Sequence, residues 1–373
     1  MNKKLLIGIG VVLGIVALGV AAYFAWQNRA KIVEVIPAIT GGGVIPAVKP
    51  AEQRLKQISS HQVMTYWVSK TASSSDIFYI DENNTNFKIG SDGVETSDTL
   101  DLKKFVSVTP SPAGDLLYMR TSNEGDASIY DTTKSIMTQS FIGVDSIAWG
   151  PESGKIARLV SGTDAGPITP QVVVEDIKDA KSQSKIVAKF GLQGFDLQWA
   201  QKGQILLTQR PSADYVSDMW KVDLNTGKLQ KFLSGHGLMV SWTPFGDRGL
   251  EFTTNDGRAH KLSIIDGNGN RLKDLRFVTL PNKCTMVTSS QMYCAIPRDQ
   301  ESLTHMTLPD DYLKRSVYTK DGIYQIDIDK DSIRGIFEDE NPDIDAVDLK
   351  MVDNNKLLFI NRYDRKLYSL DLQ

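Results

Sequence analysis

Short runs of alternating hydrophobic and polar residues fill the chain from Arg54 onward, and turns rich in Gly, Asn, Asp and Ser separate them. Alternation with a period of two places successive side chains on opposite faces of a β-strand, so these runs predict half-buried strands. No run shows the spacing of a convincing amphipathic helix. The pattern therefore predicts an all-β domain over residues 54–373.

A hairpin pattern recurs along this domain. In its clearest form, VDSIAWGPESGKIARL (144–159), a strand ends at a tryptophan, a turn follows and a second strand begins. After each hairpin come another strand, an acidic turn and a further strand, as in MWKVDLNTGKLQKFL (219–233). Aligned on the tryptophan position, the seven copies place these residues in equivalent positions: Trp67, Thr109, Trp149, Trp199, Trp242, Met286 and Lys350.

These repeats predict a closed ring of blades. Two hairpins in a unit of roughly 40–50 residues match the size of a four-stranded β-propeller blade. The seventh unit has only three strands, whereas QRLKQIS (53–59) is a spare strand ahead of the first unit. In a closed propeller the N-terminal strand can complete the last blade, which removes an exposed sheet edge. We therefore predict an all-β, seven-bladed β-propeller closed by its N-terminal strand.

The hairpin also carries a family resemblance. WGPESGKI (149–156) and WTPFGDRG (242–249) resemble the Trp-Ser-Pro-Asp-Gly-Lys repeat of TolB-type, WD40-like propellers. The overall layout, together with LPDDYLKRSVYTKDGIYQIDI (308–328), is similar to that of single-pass, membrane-anchored propeller proteins of bacteria with small genomes. This resemblance implies the fold and a membrane anchor, and it implies no activity.

The N-terminal segment predicts that anchor. Residues 5–26, LLIGIGVVLGIVALGVAAYFAW, contain no charge and no proline. As a helix they would span roughly 33 Å, enough to cross a hydrocarbon core of about 30 Å. A cleaved signal peptide is the competing interpretation, but its apolar core normally covers only about 7–15 residues. We expect residues 1–26 to form a cytoplasmic head and an uncleaved transmembrane helix, with the propeller on the extracytoplasmic side.

Two further features belong to the N-terminal region. Residues 27–53 contain three prolines and a Gly-Gly-Gly triplet without sustained periodicity, and this composition predicts a flexible linker. Small residues at Gly10 and Gly14 form a Gly-x-x-x-Gly pattern inside the predicted helix. Such a pattern allows close helix packing in membranes, so self-association through this helix is a candidate interaction.

Composition excludes several kinds of chemistry. A formal net charge of -3 gives no sign of a nucleic-acid partner. Two cysteines are too few for a tetrahedral zinc site, and no Gly-x-Ser-x-Gly motif is present. Asp327, Asp329 and Asp331 have the spacing of a calcium loop but lack its glycine and glutamate. We therefore predict no catalytic residue, cofactor or metal, and a protein that is not an enzyme.

The two cysteines lie on the strands of one predicted hairpin. A three-residue loop at 288–290 would place Cys284 directly opposite Cys294, and disulfides persist in exported domains. A two-residue loop would shift the register by one and leave two free, buried thiols. Both arrangements remain open from the sequence, and both give the cysteines a structural role.

The longest connection between the second and third strands of a unit, residues 297–322, is the candidate recognition segment. Binding residues often lie in loops on a rigid scaffold. A shorter excursion, QRPSADYVSDMW (209–220), resembles it. An excursion that merely covers the blade rim is the alternative interpretation. The candidate partner-binding residues are Pro309, Asp310, Asp311, Tyr312, Lys314 and Arg315.

From these features we expect a membrane-anchored, extracytoplasmic propeller that acts as a protein-binding or scaffolding module of the cell envelope. Its partner would be an envelope or membrane protein, because an anchor and a tether hold the propeller near the membrane. The alternative is a glycan-binding or hydrolytic envelope propeller with a site at the channel mouth. A purely structural envelope subunit is the third possibility.

Overall fold

The computed structural model describes most of the predicted propeller. The described ranges are 54–70, 75–98, 105–121, 126–152, 154–179, 181–201, 203–255, 257–339, 342–353 and 355–372. None of the helices in these ranges is long and apolar enough to span a membrane. The predicted anchor and linker, residues 1–26 and 27–53, lie outside the described residues.

Seven antiparallel sheets of four strands each make up the described fold, and each sheet is one blade. The first three blades contain β2 (Val63–Lys70), β3 (Ser75–Asp81), β4 (Asn86–Ile89) and β5 (Glu95–Asp98); β6 (Phe105–Pro110), β7 (Leu116–Thr121), β8 (Ala127–Asp131) and β9 (Ile136–Phe141); β10 (Val144–Trp149), β11 (Lys155–Thr163), β12 (Gly166–Asp176) and β13 (Lys185–Lys189). The prediction of an all-β, seven-bladed propeller is confirmed.

The remaining blades follow the same order of strands. Blades four and five contain β14 (Phe195–Gln201), β15 (Gln204–Gln209), β16 (Val216–Asp223) and β17 (Leu229–His236); β18 (Met239–Trp242), β19 (Arg248–Asn255), β20 (Ala259–Asp266) and β21 (Arg271–Asp274). Blades six and seven contain β22 (Cys284–Met286), β23 (Gln291–Pro297), β24 (Asp321–Asp327) and β25 (Ser332–Phe337); β26 (Ala346–Val352), β27 (Lys356–Asn361), β28 (Lys366–Asp371) and β1 (Leu55–Gln57). Short helical turns lie at Pro281–Lys283, Ser302–His305 and α1 (Asp310–Leu313).

The ring is closed by the N-terminal strand. Strand β1 pairs antiparallel with β28, and Leu55 lies opposite Leu370. The chain continues the contact beyond the strand, because Ile58 N donates to Leu367 O over 2.9 Å and Leu367 N donates to Ser59 Oγ over 2.9 Å. The three-stranded last unit and the spare first strand therefore complete one sheet, as the repeats predict. Pairing removes the edge that β28 would otherwise expose.

The hydrophobic core lies between neighbouring blades. Between blades three and four, for example, Leu159 and Val172 pack together with Leu197 and Leu207, and all four are buried. Each alternating strand turns its apolar side chains towards an adjacent blade, so every blade needs its neighbours for burial. The sequence alternation thus produces a ring of inter-blade layers rather than one central core.

The glycines of the repeated turn have a physical reason that the hairpin alone does not reveal. Gly246 has a φ of +68°, and a Cβ atom there would lie 2.2 Å from the carbonyl oxygen of Ala200 in the preceding blade. Gly114 has a φ of +72°, and its Cβ would lie 2.7 Å from the carbonyl oxygen of Val68. Only glycine tolerates both the left-handed backbone and this close approach. In blades two and five the repeated glycine therefore serves packing between blades.

The structure corrects the alignment of two repeats by one residue. An equivalent backbone hydrogen bond closes the turn after the tryptophan in blades three and five, where Gly150 N donates to Lys155 O and Thr243 N donates to Arg248 O. In blade two, Ser111 N donates the equivalent bond to Leu116 O. Pro110, not Thr109, therefore precedes the turn in blade two. In blade seven Val352 pairs with Lys356 across the turn, so Met351, not Lys350, takes the tryptophan position. Neither copy has a tryptophan to anchor the alignment, and the turn between Val352 and Lys356 in blade seven is one residue shorter than the turn between Gly150 and Lys155.

Candidate functional site

The propeller has two faces with different connections. Neighbouring strands in a blade are antiparallel, so the turns that join strands one to two and three to four lie together at one end. The connections between strands two and three, and those between successive blades, lie at the other end. We call the first end the lower face and the second the upper face. Both excursions found in the sequence, 209–220 and 297–322, belong to the upper face.

A groove with a volume of about 1160 Å³ lies on the upper face over blades two to five. Its wall comes from three kinds of connection: those between blades, the β11–β12 hairpin of blade three, and the excursions of blades four and six. We call it the upper-face groove, and its principal lining residues are Ile142, Asp145, Pro167, Asp196, Arg210, Pro211 and Leu313.

The two excursions meet at the edge of this groove. The Asp310 carboxylate accepts hydrogen bonds from Ala213 N over 2.6 Å and from Ser212 Oγ over 3.3 Å. Ring atom His236 Nδ1 lies 3.0 Å from Ala213 O. A half-buried carboxylate that accepts a backbone N–H bond forms a strong, directional contact. Asp310 therefore joins the excursion of blade six to that of blade four, and Leu313, three residues later, lies on the groove wall.

The structure divides the predicted partner-binding residues into two groups. Pro309 and Tyr312 are buried, and Asp311 Oδ2 accepts a hydrogen bond from Thr307 N over 2.7 Å. These residues and Asp310 hold the excursion in place. Lys314 and Arg315 are exposed. The surface residue that the sequence analysis missed is Leu313, which is 39% exposed, and its signal was one leucine inside the polar segment DDYLKR.

A buried ionic network lies beneath this excursion. The Lys283 side chain is only 1% exposed, and its Nζ atom lies 2.7 Å from Asp321 Oδ2 and 2.6 Å from Asp345 Oδ1. The same nitrogen donates to Thr319 Oγ1 over 2.6 Å. Its three N–H groups thus have three oxygen partners, which is the full donor capacity of an ammonium group. No local sequence pattern reveals this network, because its members are scattered between residues 283 and 362.

The network holds the excursion through Tyr312. Tyr312 Oη donates to Asp345 Oδ1 over 2.6 Å, and Arg362 Nη1 donates to Asp345 Oδ2 over 2.7 Å. Arg362 Nη2 also donates to Tyr312 O over 2.9 Å, and the guanidinium carbon lies 3.7 Å from the centre of the tyrosine ring. Tyr312 is therefore fixed at its ring, its hydroxyl and its carbonyl. The excursion is a rigid part of the upper face.

Two carboxylates share one ammonium group in this network, and their proton affinities diverge. Burial and the Asp345 carboxylate raise the pKa of Asp321 to about 6, although the Lys283 ammonium opposes the rise. Burial also opposes ionisation of Asp345, but Lys283, the Tyr312 hydroxyl and Arg362 hold its pKa below the ordinary value. The charged carboxylate of the pair is therefore Asp345, and Asp321 keeps a proton to a higher pH.

This divergence predicts a pH dependence of stability. Near pH 5 folded Asp321 retains a proton that the unfolded chain, with its ordinary pKa of 3.8, has lost. The contribution of Asp321 to the free energy of unfolding therefore falls as the pH rises from about 4 to about 6. We expect wild type to lose about 2–3 kcal/mol relative to Asp321→Asn across this range. Urea unfolding of both proteins at several pH values measures it, and a difference that stays constant with pH contradicts the assignment.

The predicted cysteine pair lies in the first hairpin of blade six. Cys284 is directly opposite Cys294, and their sulfur atoms are bonded. Val287 N donates to Gln291 O over 2.9 Å, so the loop contains the three residues 288–290. Of the two arrangements that the sequence left open, the structure contains the disulfide. The bond lies in the hairpin that directly follows the Lys283 network.

Charges of both signs line the upper-face groove. Arg210, Asp145 and Asp196 are exposed, and in the described part of the chain they form no ion pair. Arg120 Nη1 donates to the backbone carbonyl oxygen of Asp145 over 3.4 Å, so this contact does not involve the Asp145 carboxylate. Within the same described ranges, no group of three or more His, Cys, Asp or Glu side chains is placed to hold a metal ion. The groove thus offers separate charged groups beside apolar ones.

Comparison with known proteins identifies the fold. The chain matches no protein-family model and no curated protein sequence. Among solved structures, it is similar to an oligogalacturonate lyase from Vibrio parahaemolyticus at 10% identity, with a TM-score of 0.60 over 86% of this chain and 93% of that one. An oligogalacturonate lyase in complex with manganese is 9% identical, with a TM-score of 0.53 over 84% and 99% of the two chains.

A third similar structure is the Cps50 (Swd1) β-propeller domain from Myceliophteria thermophila. It is 11% identical, with a TM-score of 0.52 over 86% of this chain and all of that domain. Identities near 10% carry no information about activity, since one fold supports many functions. The similarity to these structures shows that the chain has a β-propeller fold.

Proposed function

We propose that this chain is a protein-binding propeller whose upper-face groove receives an extended segment of a partner protein. The observation that carries the proposal is the meeting of the two excursions. The hydrogen bond that Ala213 N donates to the Asp310 carboxylate joins two loops from different blades into one wall, and the Lys283 network makes that wall rigid. Rigid loops on a fixed scaffold bind partners with little loss of conformational entropy.

The chemistry of the groove indicates what the segment contains. Ile142 and Leu313 on its wall are 43% and 39% exposed, and Tyr215 in the neighbouring excursion is 53% exposed. Apolar side chains that remain exposed around one depression are typical of interaction surfaces. Arg210 and Asp196 supply one charge of each sign. The groove therefore suits a peptide segment with apolar residues flanked by both an acidic and a basic side chain.

The proposal includes a place in the cell. Residues 5–26 would anchor the chain in a membrane and residues 27–53 would tether the propeller on the extracytoplasmic side, as an envelope scaffold. The apolar run supports the anchor, and the Cys284–Cys294 bond supports an oxidising compartment, because disulfides persist there. The partner is then another envelope or membrane protein, and the chain acts by binding rather than by catalysis.

Site-specific photo-crosslinking in intact membranes tests the proposal. A photoreactive amino acid replaces Leu313 in the groove in one variant and Phe245 in another. Phe245 is the matched control, because it is 74% exposed and lies in a turn of the lower face. We expect a discrete protein adduct from position 313 that Ile142→Asp abolishes, and no such adduct from position 245. Adducts from position 245 alone, or adducts from position 313 that Ile142→Asp leaves unchanged, contradict the proposal.

A further inference from the structure

The central channel of the propeller contains a second cavity, separate from the upper-face groove. It has a volume of about 480 Å³ and is lined by the first strands of blades one, two, five, six and seven. A cavity of about 770 Å³ adjoins it at the lower face, and the two share five lining residues, among them Lys350 and Met286. The channel cavity therefore opens into a vestibule on the lower face, and Lys350 lies at the junction.

Lys350 brings a positive charge to this junction with an incomplete set of partners. Its Nζ atom donates to the carbonyl oxygen of Tyr66 over 2.7 Å and lies 4.3 Å from the centre of the Tyr66 ring. No ion pair of Lys350 is present among the described residues. An ammonium group has three N–H donors, so two remain for a molecule in the cavity. Burial lowers the pKa of Lys350, although Asp348 opposes this effect, and a ligand carboxylate would offset the cost of burial.

Asp348 brings a negative charge to the same cavity on a strained backbone. It has a φ of +54°, a left-handed conformation that costs energy for a residue other than glycine. Tyr66 Oη donates a hydrogen bond to the carbonyl oxygen of Asp348, which holds this conformation. The carboxylate is exposed to the channel and has no hydrogen bond within the described ranges. Tyr66 thus positions both the acidic and the basic residue.

Neutral polar groups complete the lining. Asn282 Oδ1 is buried and has no hydrogen-bond partner in the described structure, although buried polar atoms almost always have one. Thr65, Ser241 and Thr285 also line the channel cavity. The amide oxygen can accept a hydrogen bond, and the hydroxyl groups can both donate and accept. The cavity therefore holds an acceptor that lacks a donor, in addition to the two opposite charges.

We propose that the channel cavity binds a free α-amino acid with an apolar side chain. The ligand carboxylate contacts Lys350, its ammonium group contacts Asp348 and Asn282, and its side chain extends into the vestibule. A simple anion would meet the Asp348 carboxylate and a simple cation would meet Lys350, whereas a zwitterion matches both charges. A volume of about 480 Å³ lies within the range of roughly 300–1,000 Å³ that is typical of small-molecule sites.

The vestibule explains the preference for an apolar side chain. Its lining is mostly hydrophobic, and it includes Pro112, Pro244, Met286, Val287 and Met351. Apolar surface that leaves water on binding adds favourable free energy roughly in proportion to its area. Leucine, methionine and phenylalanine should therefore bind more tightly than glycine, while a monosaccharide would use the hydroxyl groups and neither charge.

Calorimetric titration of the full-length chain in nanodiscs tests this site. The probes are leucine, phenylalanine and glycine, together with N-acetyl-leucine, which lacks the ammonium group, leucinamide, which lacks the carboxylate, and glucose. We expect saturable binding of leucine and phenylalanine, and affinities about 10- to 100-fold weaker for the two blocked derivatives, since each loses a charge-assisted hydrogen bond. Absence of amino-acid binding up to 10 mM, or equal binding of glucose, overturns the proposal.

Matched variants link the binding to the channel. Lys350→Met and Asp348→Asn should each weaken leucine binding about 10- to 100-fold, and asparagine tolerates the left-handed backbone at position 348. Lys221→Met is the control for the lysine, because Lys221 lies 5.4 Å from the Phe232 ring centre in blade four. Asp331→Asn is the control for the aspartate, since Asp331 is left-handed with a φ of +52° and lies in an outer turn.

Both control variants should bind leucine like wild type, and thermal unfolding should show that all four variants are folded. If both channel variants fold and bind leucine with unchanged affinity, the site is not in the channel and the proposal fails. If either fails to fold, the blocked derivatives on wild-type protein decide the question. Because this site and the upper-face groove lie on different faces, failure of one proposal leaves the other intact.

Discussion

Lys283→Met is expected to lower the free energy of unfolding by about 3–5 kcal/mol. The substitution keeps the length of the side chain but removes the ion-pair partner that Asp321 has among the described residues, in a site that water does not reach. It also leaves Asp345, which Lys283 contacts over 2.6 Å, with Arg362 as its remaining cation. An unpaired buried charge is costly, whereas a well-packed apolar replacement of the whole network would cost little. Denaturant unfolding, followed by tryptophan fluorescence, measures the loss.

Two further variants separate this effect from a general sensitivity to lysine substitution. Lys320 lies in the excursion and forms an exposed ion pair with Asp343 in the segment before blade seven. Lys320→Met removes this pair and should change the stability little, since water screens such pairs. Adding Asp321→Asn to Lys283→Met should recover part of the loss, because Asp321 is the carboxylate that loses its only ion-pair partner among the described residues, whereas Asp345 keeps Arg362. Equal losses for Lys283→Met and Lys320→Met, or no recovery in the double variant, contradict the role assigned to the network.

Replacing both cysteines by alanine, Cys284→Ala with Cys294→Ala, should lower the free energy of unfolding by about 3 kcal/mol. The disulfide joins residues ten positions apart, and a loop of this length restricts the unfolded chain by roughly that amount. Urea unfolding with and without dithiothreitol measures the effect. Reduction should destabilise wild type by a similar amount and leave the alanine variant unchanged. An alanine variant as stable as wild type would show that the bond does not contribute.

These two effects concern the same part of the ring. The Lys283 network holds the excursion of blade six through Tyr312, and the disulfide lies in the first hairpin of that blade. The wall of the upper-face groove depends on this blade through Asp310 and Leu313. We therefore expect Lys283→Met to reduce photo-crosslinking from position 313 even where the propeller stays folded. Stability in blade six is in this way linked to the proposed binding function.

The repeated unit could be predicted from local sequence patterns. Alternation with a period of two, and turn residues at regular spacing, are properties of neighbouring residues, so they were sufficient to predict seven blades. Closure by β1 followed from counting strands, because one unit lacked a strand and one spare strand preceded the first unit. The disulfide was one of two arrangements, since the loop length decides the register and turn lengths are read only to within a residue.

The positions of Lys350 and of residues 297–322 depend on contacts that the repeat pattern does not predict. The turn after β26 is one residue shorter than the turn between Gly150 and Lys155, so Lys350 does not take the position that the repeat assigned to it. Lys350 instead donates a hydrogen bond to Tyr66 in another blade. In the loop, the candidate partner-binding residue Tyr312 contacts Asp345 and Arg362, 33 and 50 residues further along the chain. No local spacing encodes contacts of that range.

The sequence by itself therefore determined the architecture of this protein: an all-β ring of seven blades, closed by the first strand. Only the tertiary structure decided which exceptional residues are available for binding. It buried Tyr312, exposed Leu313, joined two excursions through Asp310 and placed Lys350 beside Asp348 at the channel. The physical reason is that strand formation follows from short-range alternation, whereas burial and charge pairing depend on which distant blades close around a side chain.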